Sequence, residues 1–85
     1  MYSLFNVVWY DGCDAFVSKF ILPTKDNEVT KDGERDVIRY LDGNGELLKI
    51  DYLYNLSLEN IIAMRRSEDK EHIAAYDRFA NMYFN

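Results

Sequence analysis

The stretch DVIRYLDGNGELLKIDYLY, residues 36–54, decides how this chain is to be read. Asp42-Gly43-Asn44-Gly45 is the densest turn signal in the sequence, flanked on both sides by residues able to lie in a sheet. Read as a hairpin, the register follows from the turn. A three-residue loop, Gly43-Asn44-Gly45 with Gly45 in the left-handed region, sets Tyr40 opposite Leu48 and Ile38 opposite Ile50. The other face then carries Leu41 opposite Leu47, with Arg39, Lys49 and Asp51. A two-residue Asn44-Gly45 turn sets Tyr40 against Lys49 and Ile38 against Asp51, sending apolar and charged residues to the same face. The longer loop is the expected one. An alternative for its first half is a short helix capped by Asp32 and running through Leu41, because Val37, Ile38 and Leu41 also fit helical spacing.

Upstream, Tyr2 to Tyr10 reads as a strand with Phe5, Val7 and Trp9 on one face and Leu4, Val8 and Tyr10 on the other. Apolar residues on both faces predict an interior strand. Asp11 to Asp14 forms a turn, and Phe16 to Leu22 returns as a second strand closed by Pro23. This pairing sets Trp9 against Phe16, Phe5 against Phe20, Val8 against Val17 and Leu4 against Ile21. Thr24 to Glu34 is polar apart from Val29 and reads as an exposed loop.

Downstream, Ser57 caps a helix with Leu58, Ile61 and Ile62 as its stripe, ending near Arg65-Arg66. Ser67 offers a second cap, with Glu68, Asp69 and Glu71 in the first turn, where the helix dipole favours acids. Ile73, Tyr76, Phe79, Ala80 and Tyr83 then repeat every three or four residues. Strands first and helices last predict one α+β domain over residues 1–85. It is an antiparallel sheet of about four strands in two hairpins, with two C-terminal helices packed on one face.

Composition bounds the function. The chain has 85 residues, 48% apolar and 15% aromatic, enough for one core but near the lower limit for folding without metals or disulfides. Its single cysteine, Cys13, excludes an internal disulfide and fits a reducing cytoplasm. No signal peptide is read in the first twenty residues, and no apolar run approaches the ~18–20 residues of a membrane-spanning helix. The net charge of −5 argues against direct nucleic-acid binding and leaves room for a partner with a basic surface.

Chemistry-bearing patterns are sparse. Ser3, Ser18, Ser57 and Ser67 have only His72 as a possible base, and none lies in a Gly-x-Ser-x-Gly elbow. Asp11 and Asp14 disfavour a Cys13 thiolate. One Cys and one His cannot build a zinc site, and Asp42 to Glu46 is explained by turn geometry. The glycines form no phosphate cradle. Asp51, the acid nearest an apolar run, is expected to lie across from Val37 and to pair diagonally with Arg39. An enzyme would have to work with Asp51 or His72 and the tyrosines. No catalytic residue, metal or cofactor is therefore assigned.

The expected function is that of a small acidic, non-enzymatic binding protein that occupies a partner protein's surface. Size and composition resemble small regulators, including phage- or mobile-element-type inhibitors of host or defence nucleic-acid-binding proteins, which would act in the host cytoplasm. Asp26, Glu28, Asp32, Glu34 and Asp36, with Glu68, Asp69 and Glu71, are the candidate acidic contacts, and Tyr54 an aromatic one. The competing expectation is a homodimeric module joined through the sheet edge or the last helix, with an exposed stripe of Ile73, Tyr76 and Tyr83.

Overall fold

A computed structural model describes residues 1–84. Strand β1 (Tyr2–Asp11) is the centre of the sheet, as its two apolar faces require: Leu4, Phe5 and Val7 are all buried. It pairs antiparallel with β2 (Asp14–Lys25) in the expected register, Trp9 with Phe16, Val8 with Val17, Phe5 with Phe20 and Leu4 with Ile21. Strand β2 does not stop at Pro23. The proline lacks an N–H, but β2 gains a further strand partner only from Thr24 onward, so no ladder bond is lost. Asp26 and Asn27, both in the left-handed region, then turn the chain into the two-residue β3 (Glu28–Val29). The polar segment 24–34 is therefore a strand end, a turn, a short strand and a helix start, not one loop.

The hairpin expected over residues 36–54 does not form. Residues Lys31–Leu41 are helix α1, and the capping residue is Thr30, whose hydroxyl accepts from the Gly33 N–H at 3.0 Å. Asp32 instead lies in the first turn, where its charge suits the dipole. Gly33, Val37 and Leu41, spaced four apart, form the buried side of α1. The turn signal at Asp42-Gly43 is real but ends a helix: Asp42 is left-handed and its N–H returns to the Ile38 carbonyl at 3.1 Å. Asp42 and Gly43, not Gly45, carry the positive φ angles.

The second half of that stretch is a strand, β4 (Glu46–Leu56), and its partner is β1. The sheet order is β3-β2-β1-β4, all antiparallel, with β-bulges in β4 at Leu48 and Leu53. Asp51 consequently lies opposite Asn6 and pairs with Lys49 at 3.3 Å, not with Arg39.

Two helices follow. Ser57 caps α2 (Leu58–Met64) in a reciprocal capping box with Asn60. Helix α3 (Lys70–Tyr83) is capped by Asp69, while Ser67 receives the Asp69 N–H and shapes the corner. Helices α2 and α3 close the core on the Leu4 and Ile21 face, with Leu56, Ile61, Met64, Ala75 and Phe79. Helix α1 covers the other face, placing Val37 and Leu41 against Phe5, Val7, Phe20 and Leu22. The result is an α+β sheet with helices on both faces, where the sequence predicted one covered face. Among the described residues no helix is long and apolar enough to cross a membrane.

Thr30→Ala tests the helix directly. It should cost about 1 kcal/mol of unfolding free energy, the usual worth of an N-cap, read by urea denaturation followed by circular dichroism. An unstructured loop at residue 30 would show no loss.

Candidate functional site

Helix α3 lies along the outer edge of β2 and reaches both faces of the sheet. Phe79 enters the core with Leu4 and Ile21, while Met82 packs with the Phe5 and Phe20 cluster. Between them Arg78 projects across the edge itself. Its Nη1 donates to the Lys19 carbonyl at 2.9 Å, satisfying a backbone acceptor on β2. Its guanidinium sits 5.2 Å from the centre of the Phe20 ring, a cation–π contact.

Phe20 is fully buried, and its ring forms a floor on which two groups stand. Arg78 covers it from α3, and Tyr40 meets it edge-on from α1 at 5.5 Å. Trp9 stacks on Phe16 at 4.8 Å and donates from Nε1 to the Ser18 hydroxyl at 3.2 Å. Gly45 holds this arrangement in place: a Cβ there would lie 2.5 Å from the indole Cε3. Together Trp9, Phe20, Tyr40 and Arg78, rimmed by Asp11 and Asn44, enclose an open cleft of about 390 Å³. Tyr40 is 41% exposed and forms a wall of this cleft.

What the cleft presents is a cation set among aromatic rings. Among the described residues no carboxylate pairs with Arg78, and its hydrogen bond to Lys19 leaves most of the fork's donors free. Rings on the walls and a fixed cation suit a side chain that is apolar along its length and carries an acceptor. No group of three or more His, Cys, Asp or Glu among the described residues is placed to hold a metal.

The acidic residues singled out in the sequence fall into two separate places. Asp26 and Glu28 lie on the β2–β3 turn and β3, and Asp32 and Glu34 in the first turn of α1, all exposed. Asp32 is partly engaged by Arg35 at 3.5 Å. Glu68, Asp69 and Glu71 lie at the start of α3, where Asp69 is the cap and sits 3.9 Å from His72, and Glu71 meets Lys19 at 3.5 Å. Asp36 is tied to the far end of that helix by Tyr83. A 14-residue helix spans about 20 Å, so the two groups do not form one patch. Tyr54 is exposed on β4. Ile73, Tyr76 and Tyr83 are half-buried, with Tyr76 and Tyr83 against the Phe79 core, so α3 offers no open apolar stripe. Exposed apolar residues include Leu58 and Ile62 on α2, Ile38 and Leu48 beside the sheet edge, and Phe16 and Val17 on β2.

Sequence reading named none of the four cleft residues, Trp9, Phe20, Tyr40 and Arg78, as site residues. A signal for Arg78 was present: positions 74, 75, 81 and 82, its neighbours on the helix surface, are Ala, Ala, Asn and Met, with no acid to pair with it.

Tyr83 has a displaced acid constant. Burial first, then its 2.7 Å hydrogen bond to the Asp36 carboxylate and that charge, push its hydroxyl well above the usual value of 10.0. The folded protein thus holds this proton more tightly than the unfolded chain does. The contribution is complete below pH about 10 and is lost as pH rises beyond it. Wild type should lose stability between pH 9 and 11 more steeply than Tyr83→Phe, with roughly 1 kcal/mol separating them at neutral pH for the missing hydrogen bond. Parallel curves over that range would count against the pairing.

Comparison with protein-family models, with curated proteins and with solved structures finds no match to this chain.

Proposed function

We propose that this protein is a non-enzymatic binding protein, and that it recognises a partner protein by taking one of the partner's side chains into the cleft of Trp9, Phe20, Tyr40 and Arg78. The observation that carries this reading is Arg78, clamped by the Phe20 ring and the Lys19 carbonyl yet facing open space with no carboxylate partner among the described residues. Tryptophan, tyrosine and arginine are the residue types on which binding energy at protein interfaces concentrates. Here all three converge on a floor made rigid by the β1–β2 hairpin. The acids Asp26, Glu28, Asp32 and Glu34 lie apart and would act, if at all, by steering a basic partner from a distance. Inhibition of a nucleic-acid-binding protein is the narrower form of this reading, and its support is size and acidity.

Capture from a cell lysate with tagged wild type, Tyr40→Ala, Arg78→Ala and an Asp32→Lys/Glu34→Lys control tests it. The expected result is a stoichiometric partner held by wild type and the control and lost, by tenfold or more in affinity, from both cleft variants (roughly the 1.4 kcal/mol or greater loss of a central contact). A partner lost only from the acid-reversal control overturns the cleft and moves the contact to the acidic turn and α1.

A further inference from the structure

The second open feature of the fold lies at the opposite edge of the sheet. Strand β2 has its outer edge covered by α3, but β4, 11 residues long, has β1 on one side and no strand on the other among the described residues. Unpaired N–H and C=O groups along such an edge are a template for another strand. Apolar side chains flank it. Ile38 of α1 and Leu48 of β4 are 52% and 55% exposed and, with Val29, Leu47, Ile50 and the charged Glu34 and Lys49, line a groove of about 310 Å³ between α1 and the strand.

We propose that two copies of this chain pair through β4, antiparallel about a two-fold axis passing through Ile50. The argument is the order of residues between the two bulges. Lys49, Ile50 and Asp51 lie in the regular run bounded by Leu48 and Leu53, with Lys49 and Asp51 on one face of the sheet and Ile50 on the other. A two-fold axis at Ile50 places Lys49 opposite the second copy's Asp51, and Asp51 opposite its Lys49, so both cross-strand pairs are of opposite charge. On the other face Ile50 meets Ile50, and the two α1 grooves come together over the axis, covering Ile38 and Leu48. The nearest registers that keep the faces aligned centre on Lys49 or on Asp51, and each sets like charges directly opposite. One register is thus selected against its neighbours. The bulges stop the regular ladder from extending, which suits a short self-complementary contact and not a long foreign strand.

Because the contact is isologous, single charge reversals make it repulsive twice over. Lys49→Asp and Asp51→Lys should each weaken the dimer about tenfold or more, since two favourable pairs become two unfavourable ones. Both positions are exposed on the strand surface, and circular dichroism confirms that each variant is folded. Sedimentation velocity over a graded concentration series reads the assembly. Wild type should dimerise and each single variant remain monomeric. An equimolar mixture of the two variants should dimerise again, because a chain with two acids then faces a chain with two lysines. The double variant Lys49→Asp/Asp51→Lys should pair with itself. A wild type that stays monomeric overturns the proposal and leaves the β4 edge to a strand from another protein. A dimer indifferent to both reversals, or variants that fail to recover on mixing, overturns it by placing the contact elsewhere.

Discussion

Phe79→Ala should cost about 3–5 kcal/mol of unfolding free energy, the range for deleting a buried aromatic ring. Phe79 is the point at which the C-terminal third of the chain is fastened to the sheet. Its ring meets Tyr2 edge-on at 5.2 Å, Tyr83 at 5.4 Å and Phe84 at 5.3 Å, and it shares a cluster with Leu4, Ile21, Ile61 and Met64. The aromatic contacts add to the area term. For a chain of 85 residues the whole stability is on the order of 5–10 kcal/mol, so this variant should lose a large share of it, from about a third up to all. Urea denaturation with an unchanged m-value is the measurement. A loss below about 1 kcal/mol would mean that α3 is not docked on β2 as described.

Phe20→Ala should cost a similar amount, about 3–5 kcal/mol, and should do something that Phe79→Ala does not. Phe20 belongs to the other core, with Phe5, Val7, Leu22, Val37 and Leu41, and its ring carries both Tyr40 and Arg78. Its removal should therefore loosen the cleft as well as the fold. Arg78→Ala alone should cost only about 1 kcal/mol, the sum of one partly exposed cation–π contact and one hydrogen bond. In the Phe20→Ala background that loss should shrink by roughly 0.5–1 kcal/mol, because the stacking half of the interaction is already gone. Additive losses would show that Arg78 is held by Lys19 alone, and the recognition reading would lose its rigid cation.

The register of the first hairpin was legible in the sequence, though not its extent: the turn is only Gly12 and Cys13, and β2 runs on past Pro23. Its strands alternate on both faces, the Asp11 to Asp14 turn leaves a single register that matches aromatic with aromatic, and every one of its expected pairs is present. The Ser57 cap and the apolar spacing of the last helix were legible for the same reason: both are signals between residues close in the chain. Residues 36–41 were not. Val37, Ile38 and Leu41 satisfy strand and helix spacing alike, and local propensity separates the two by less than a packed face contributes. What decided for helix was the Phe5, Val7, Phe20 and Leu22 face of the sheet, which a hairpin continuing in the same layer would have left bare. Thr30 and Asp42, the true cap and stop, then appear as ordinary polar residues unless the helix is already known.

The candidate site was less legible than the fold, because it joins four segments distant in sequence: Trp9 from β1, Phe20 from β2, Tyr40 from α1 and Arg78 from α3. No spacing rule connects them. The acidic residues, by contrast, are conspicuous as local clusters, yet the length of α3 holds the two groups apart. By itself the sequence determined an α+β domain with a buried central strand, a β1–β2 hairpin in one register and two C-terminal helices, all consequences of short-range periodicity, turns and caps. Only the tertiary structure decided that β4 pairs with β1, that α1 covers the second face, and that Arg78 caps the edge of β2 over Phe20. Those three choices minimise exposed apolar surface and unpaired backbone over the whole chain, a sum to which no local window of residues has access.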